Sequence, residues 1–200
     1  MKLYYSPGAC SLAPHIVAEE AGLDIEFEKV NLKDHKTETG EDYNAVNPKG
    51  YVPALLLEDG SLLTENLAVL TFLGDRKPEL GLTRAAFSIE RYRLLEWLAF
   101  ISTELHKSFA PLFQGGSDEV KTQAREKILK RLGYVEKQMV GPLLTGDKFS
   151  VADAYLFVIL TWCDRQKIDL SALSNVSAYK ARVAARPKVQ AAMKAEGLLK

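Results

Sequence analysis

Four places in the chain carry residue types whose spacing could do chemistry. The first is Cys10, in "YYSPGACSLAPH", just past a Pro7-Gly8 turn where a helix should begin. A thiol at a helix N-terminus meets unpaired N–H groups and the positive end of the helix dipole, and both favour the thiolate. The alternative is that Cys10 is a small buried hydrophobe. The run Cys10-Ser11-Leu12-Ala13 has alanine where a dithiol oxidoreductase carries its second cysteine, so any chemistry here is monothiol. The second place is Val52-Pro53. A cis bond there would leave the preceding backbone groups able to pair with a peptide-like ligand, whereas a plainer reading is a proline that opens a strand. The third is Glu65-Asn66 at a helix start. Exposed N–H groups could grip a carboxylate while Glu65 takes an adjacent ammonium, or Glu65 could simply offset the dipole. The fourth is His106, in "STELHKSF", a candidate to polarise a reacting group or else a satisfied core or surface side chain, as is His15. Neither histidine stands at a metal-ligand spacing, and Cys163, inside an apolar helix, reads as core.

The elements that must position these residues are legible in outline. "KLYY", Lys2 to Tyr5, reads as a strand stopping at Ser6-Pro7-Gly8. A helix capped by Ser11 follows, with Pro14 at its third position, where a missing N–H costs nothing, and Gly22 closing it. "FEKVNL", Phe27 to Leu32, alternates as a half-buried strand does, which makes a right-handed β-α-β unit with Cys10 at the carboxyl edge of the sheet, where ligands bind in open α/β folds. A polar region with a short helix leads to "VPALLLEDGSLLTE", two apolar runs around Asp59-Gly60, a signature of a hairpin with a two-residue type I′ turn. A helix runs from Glu65 to Asp75, and "DRKPELG" marks a boundary. Beyond it no strand pattern appears. One long helix is expected over "FSIERYRLLEWLAFISTELHKSFAPLF" from Phe87, with others over 118–140, 151–167 and 176–185. "FSVAD", Phe149 to Asp153, has the form of a capping box between Ser150 and Asp153.

Composition narrows the class. The chain has 200 residues, 47% hydrophobic, with 26 basic and 26 acidic side chains. Neutral charge and the lack of a basic arm leave phosphate-backbone binding without a source, so no nucleic-acid partner is expected. The first residues lack the apolar segment of a secretory signal, and "AYLFVILTW" is too short to span a bilayer. No membrane association and a cytoplasmic location are expected, with two reduced thiols and no metal.

Taken in order, "SPGAC", "GYVPALLLEDG", "LTENLAV", "ELHKSF" and "FSVADAYLF" resemble the cytosolic glutathione S-transferases, specifically the bacterial beta class, over essentially the whole chain. The resemblance implies an α/β thioredoxin-like N-terminal domain with a mixed four-stranded sheet (1–80) and an all-α C-terminal helical domain (87–200) forming a cleft for the electrophile. It implies a homodimer that binds glutathione as co-substrate and a small hydrophobic electrophile as partner. In that frame Val52 pairs with the cysteinyl part of glutathione, Pro53 is cis, and Glu65 with Asn66 holds the γ-glutamyl end. Cys10 faces the glutathione sulfur, and Thr103, Glu104, Leu105 and His106 close the site. The class often has lysine at the position of His35, so His35 or the adjoining Lys36 is expected to meet the glycyl carboxylate. Asn66 stands where serine or glycine is frequent, and Ala99 replaces an asparagine, removing one polar contact. The activity implied is conjugation, with thiol-disulfide exchange or glutathione-dependent dehalogenation through Cys10 and the electrophile near Phe109 and Phe113. The alternative is a non-catalytic glutathione-binding or regulatory module on the same fold.

Overall fold

A computed structural model describes residues 1–199, which fall into two compact units. The first comprises Met1–Leu80 and the segment from Arg186 on; the second is Gly81–Ala185. The return of the chain's last segment to the first unit differs from the expected domains of 1–80 and 87–200, which put that segment in the helical domain.

In the first unit, β1 (Lys2–Tyr5), α1 (Leu12–Ala21) and β2 (Glu26–Asn31) form the expected parallel β-α-β unit, with Leu3 opposite Phe27. Then come β3 (Lys36–Thr37), α2 (Tyr43–Val46), β4 (Ala54–Leu56), β5 (Leu62–Thr64) and α3 (Asn66–Asp75). The sheet order is β3-β2-β1-β4-β5, so the sheet has five strands instead of the four expected. The additional strand is a two-residue edge pairing of Lys36 and Thr37 with Asn31 and Val30, too short to leave an alternating pattern. β1 is buried on both faces, as a central strand between two layers must be. Tyr4 packs on one side with Val30, Tyr43, Val52 and Ala54.

The β4–β5 hairpin differs from expectation in its turn. Leu57 and Ser61 are the last bonded pair, with the Leu57 N–H donating to Ser61 O at 2.8 Å, and only Gly60 has positive φ (82°). A three-residue loop with glycine in the left-handed region is the next hairpin solution after the two-residue type I′ turn. α1 also ends as expected, on Gly22 at φ 59°. Its start does not: Ser11 occupies the cap position without a side-chain cap, because its hydroxyl accepts from the Ser6 N–H (3.1 Å) and donates to Ser6 O (3.3 Å).

Following residue 185, the chain forms α9 (Pro187–Ala195), a helix not anticipated from sequence. Arg186 makes a two-pronged pair with Glu20 on α1, at 2.7 and 2.8 Å, and the Glu196 carboxylate is buried. Its two oxygens take the Gly8 N–H (2.8 Å) and His15 Nδ1 (2.9 Å). His15, 2% exposed, stacks on Phe27 at 4.0 Å, so its satisfied core role is realised.

The second unit is helical: α4 (Ile89–Phe100), α5 (Ala110–Phe113), α6 (Asp118–Gln138), α7 (Val151–Arg165) and α8 (Ser174–Ala184). α7 is its buried axis, explaining the apolar run. The Ser150–Asp153 box forms as expected, and Asp153 also accepts the Leu144 N–H at 3.0 Å. Burial raises the Asp153 pKa against the lowering effect of these donors.

The single long helix expected from Phe87 is broken. Ser88 caps α4 through the Arg91 N–H (3.2 Å), leaving Phe87 outside at φ 63°. After Phe100 the backbone passes into a π turn over Ile101–Leu105 and a 3₁₀ turn over His106–Phe109 before α5 resumes. Pro111 contributes to the break, since it has no N–H to give and its ring crowds the carbonyl four residues back. The Ser108 hydroxyl donates to the Glu104 carbonyl at 2.6 Å.

Candidate functional site

In the first unit the structure brings Cys10, Val52, Pro53, Glu65 and Asn66 together at the sheet edge beyond β1. The Val52–Pro53 bond is cis. The Cys10 thiol, only 9% exposed, donates to the Val52 carbonyl at 3.3 Å. Asn66 Nδ2 donates to the Cys10 carbonyl at 3.4 Å, which ties the start of α3 to the cysteine turn. Two side chains hold the backbone just before Val52: Tyr43 Oη and Asn47 Nδ2 both donate to the Tyr51 carbonyl, at 3.0 and 2.7 Å. Burial pushes the Tyr43 phenol up to about 12, so it remains a donor. The Val52 N–H, by contrast, has no hydrogen-bond partner among the described residues. A buried amide with no partner is uncommon and leaves a donor for a ligand to satisfy.

Glu65 sits at φ 68° and ψ 119°, a conformation costing a non-glycine residue about 1–3 kcal/mol, which concentrates at ligand sites. Its carboxylate takes Lys49 Nζ at 2.6 Å and Tyr51 Oη at 2.5 Å, and that pairing raises the Lys49 pKa. Glu65 makes no side-chain cap, so the N–H groups of the first turn of α3 have no intrahelical partners. Asn66 Oδ1 is buried and unpartnered.

His35 and Lys36 separate in the structure. The His35 ring packs on Gly50, close enough that a Cβ there would lie 3.2 Å from His35 Cε1, and its Nδ1 is buried without a partner. Lys36 is exposed on edge strand β3, its N–H held by Asp34 at 3.2 Å.

Thr103, Glu104, Leu105 and His106 belong to the second unit and occupy the π-to-3₁₀ transition. Leu105 is fully buried and can offer a ligand only its backbone. The Thr103 hydroxyl returns to the Ala99 carbonyl at 3.0 Å, and Glu104 pairs with Arg131 at 2.6 Å. His106 Nδ1 lies 2.6 Å from the Tyr155 hydroxyl. Burial, with Lys107 adding, pulls the His106 pKa down to about 4, so the ring is neutral near neutrality. Trp162 meets His106 edge-on at 4.9 Å and Phe113 at 5.2 Å. Phe113 is 49% exposed, but Phe109, expected to line the cleft with it, is fully buried.

Sequence reasoning missed Glu196, Tyr43, Asn47, Lys49 and Tyr51 as site supports and Tyr155 as the partner of His106. Asn47 in "NPKG" carried a turn signal that pointed to the loop but not to its role. Burial pushes Cys163 up to about 12, consistent with an inert core thiol. Among the described residues no group of three His, Cys, Asp or Glu side chains could hold a metal ion, and no helix is long and apolar enough to cross a membrane.

Comparison with known proteins places this geometry among relatives. Residues 8–76 match the glutathione S-transferase N-terminal domain family, and residues 97–187 match the glutathione S-transferase C-terminal domain family. Glutathione S-transferase GstA of Escherichia coli O157:H7 is 47% identical over 200 residues, covering 99% of this chain and 100% of the relative. The bacterial beta class glutathione S-transferase of Sphingomonas chungbukensis superposes with a TM-score of 0.96 at 49% identity, covering 100% of both chains. A sphingomonad glutathione S-transferase solved in complex with glutathione superposes with a TM-score of 0.95 at 49% identity, again over 100% of both.

Proposed function

The chain belongs to the bacterial beta class of the glutathione S-transferase family and is a glutathione transferase, and from that premise we propose that it joins glutathione to small hydrophobic electrophiles while Cys10 carries out thiol-disulfide exchange. The observation that carries the reading is the juxtaposition of Cys10 with the Val52 backbone beside a cis proline. One edge of Val52 offers an unpaired N–H and a carbonyl now held only by a thiol, which suits an extended, peptide-like ligand pairing as an added strand.

Glutathione then lies with its cysteinyl amide on Val52 and its γ-glutamyl carboxylate on the open first turn of α3, the dipole favouring that charge. Its ammonium joins Lys49 and Tyr51 around Glu65, and the buried Asn66 Oδ1 gains a donor. The His35 ring packs on Gly50, two residues before Val52 in sequence, whereas Lys36 is exposed, and on that ground we assign His35 the glycyl carboxylate. In the second unit Thr103, Glu104 and Leu105 support the irregular turn that carries His106, and His106 addresses the electrophile.

In conjugation the glutathione thiol loses its proton to solvent and the thiolate displaces a leaving group as an anion, forming the carbon–sulfur bond. In exchange, the Cys10 thiolate attacks the glutathionyl sulfur of a mixed disulfide, forming a Cys10–glutathione disulfide and releasing the other thiolate. A second glutathione thiolate then attacks that disulfide, forming oxidised glutathione and restoring Cys10. The chain is read as acting as a homodimer, which sedimentation checks. The functional test is glutathione turnover with a chlorinated aromatic acceptor and with a mixed disulfide, in the wild type and in Cys10→Ala. Exchange lost with conjugation retained supports the division of roles; equal loss of both counts against it.

A further inference from the structure

His106 is the one histidine whose ring presents an unengaged nitrogen beside half-exposed aromatic surface. Its Nδ1 is 2.6 Å from the Tyr155 hydroxyl, and its Nε2 has no partner among the described residues. Tyr155 is 1% exposed on buried α7, so its hydroxyl is held in place by packing. A neutral imidazole has one donor and one acceptor nitrogen, and the partner of one decides the role of the other. A phenol is the stronger donor of this pair and an imidazole nitrogen the stronger acceptor, so the short contact is best satisfied by O–H donating to Nδ1. The proton of the ring then sits on Nε2. The π turn before His106 and the 3₁₀ turn after it aim the ring while Trp162 fixes its plane edge-on.

We propose that Tyr155 is a positioning residue for the transferase reaction: it locks His106 as the Nε2–H tautomer, making His106 a neutral hydrogen-bond donor to the acceptor substrate and not a base. This rests on the reading of His106 as the residue that addresses the electrophile. The acceptor class follows from the surroundings. Phe113, half-exposed and backed edge-on by the buried Trp162, offers a ring on which a planar aromatic can pack, and the single N–H suits one bearing an oxygen on which negative charge develops, such as a nitro or carbonyl group. An alkyl halide without such an oxygen gains nothing from this donor.

The nitrogen spectrum of the wild-type protein tests the tautomer directly, with His106→Gln used to assign the ring signals. The expected result is a protonated Nε2 and a bare Nδ1; a protonated Nδ1 overturns the proposal. Kinetics test the consequence. Tyr155→Phe should lower kcat/KM about tenfold for a chlorodinitrobenzene and less than about twofold for benzyl chloride, the size expected when one orienting hydrogen bond is lost. Equal loss for both acceptors means a merely structural role and overturns it. Undiminished nitroaryl turnover in His106→Gln would instead overturn the reading of His106 on which the proposal rests, while the tautomer is decided by the spectrum alone.

Discussion

Replacing Glu196 by alanine should cost the first unit far more than a residue in the last turns of the chain ordinarily would. The side chain is wholly buried, and each oxygen serves a different donor: Gly8 N–H at 2.8 Å and His15 Nδ1 at 2.9 Å. Alanine removes the carboxylate that both buried groups meet. An orphaned buried donor costs about 1–3 kcal/mol, and deleting one member of a buried pair about 3–5 kcal/mol. These figures describe overlapping losses, so about 4 kcal/mol is the expected total. For a chain of this size that lowers the midpoint of thermal unfolding by roughly 8–16 °C. Glutamine is the informative comparison. Its carbonyl can still accept from Gly8 and its amide can donate to His15 if that ring adopts the other tautomer, so about 1–2 kcal/mol should be lost. Gly8 is two residues before Cys10, so the loss of its tether should also speed alkylation of Cys10 by iodoacetamide and exchange of the Gly8 amide. Calorimetry and guanidinium unfolding read the first effect. A loss below about 1 kcal/mol for Glu196→Ala, or equal losses for alanine and glutamine, would refute the reasoning.

Three further outcomes are expected. His106 has a folded pKa of about 4 against 6.5 unfolded, so between those values the unfolded chain holds a proton the folded chain lacks. Stability should therefore fall as pH drops through that window, by about 3 kcal/mol at its acid end, and the slope should flatten in His106→Gln; parallel unfolding profiles would contradict this. Gly50→Ala should destabilise by about 1–2 kcal/mol and raise the KM for glutathione, because φ is +70° and the added Cβ meets His35 and Asn44 at 3.2 Å. Asp153→Ala should cost about 3 kcal/mol or more in chemical unfolding, since the Leu144 and Ser150 amides and the Ser150 hydroxyl lose their acceptor together.

The parts of the fold legible in the sequence were those written in local chemistry. Gly22 ended α1, Asp59-Gly60 turned the hairpin, and Ser150 with Asp153 announced its own capping box, because each acts on neighbours within a few positions. Pro53 marked the candidate site at the sheet edge for the same reason, though the choice of isomer needed the surrounding structure. What stayed hidden depends on residues far apart in sequence. Nothing in "AEGLLK" says that Glu196 will meet a histidine 181 positions earlier, and nothing near Ser11 says that Ser6 will claim its hydroxyl before the helix can. The break after Phe100 was concealed by an apolar pattern that a π turn preserves almost as well as an α-helix does. Pro111 was the one available warning.

The lodging of α9 and Glu196 in the first unit bears on how the protein is made. A ribosome delivers residues 1–80 early, and N-terminal domains commonly fold as they emerge. Here the strand, the turn and the thiol are all present while the acceptor for the Gly8 amide has yet to be polymerised. The nascent thiol turn must wait for more than a hundred further residues before it acquires its buried tether. Translation order thus postpones completion of the sulfur site until the helical unit has been synthesised, and a fragment ending at residue 80 would carry Cys10 without the anchor that orders the turn before it.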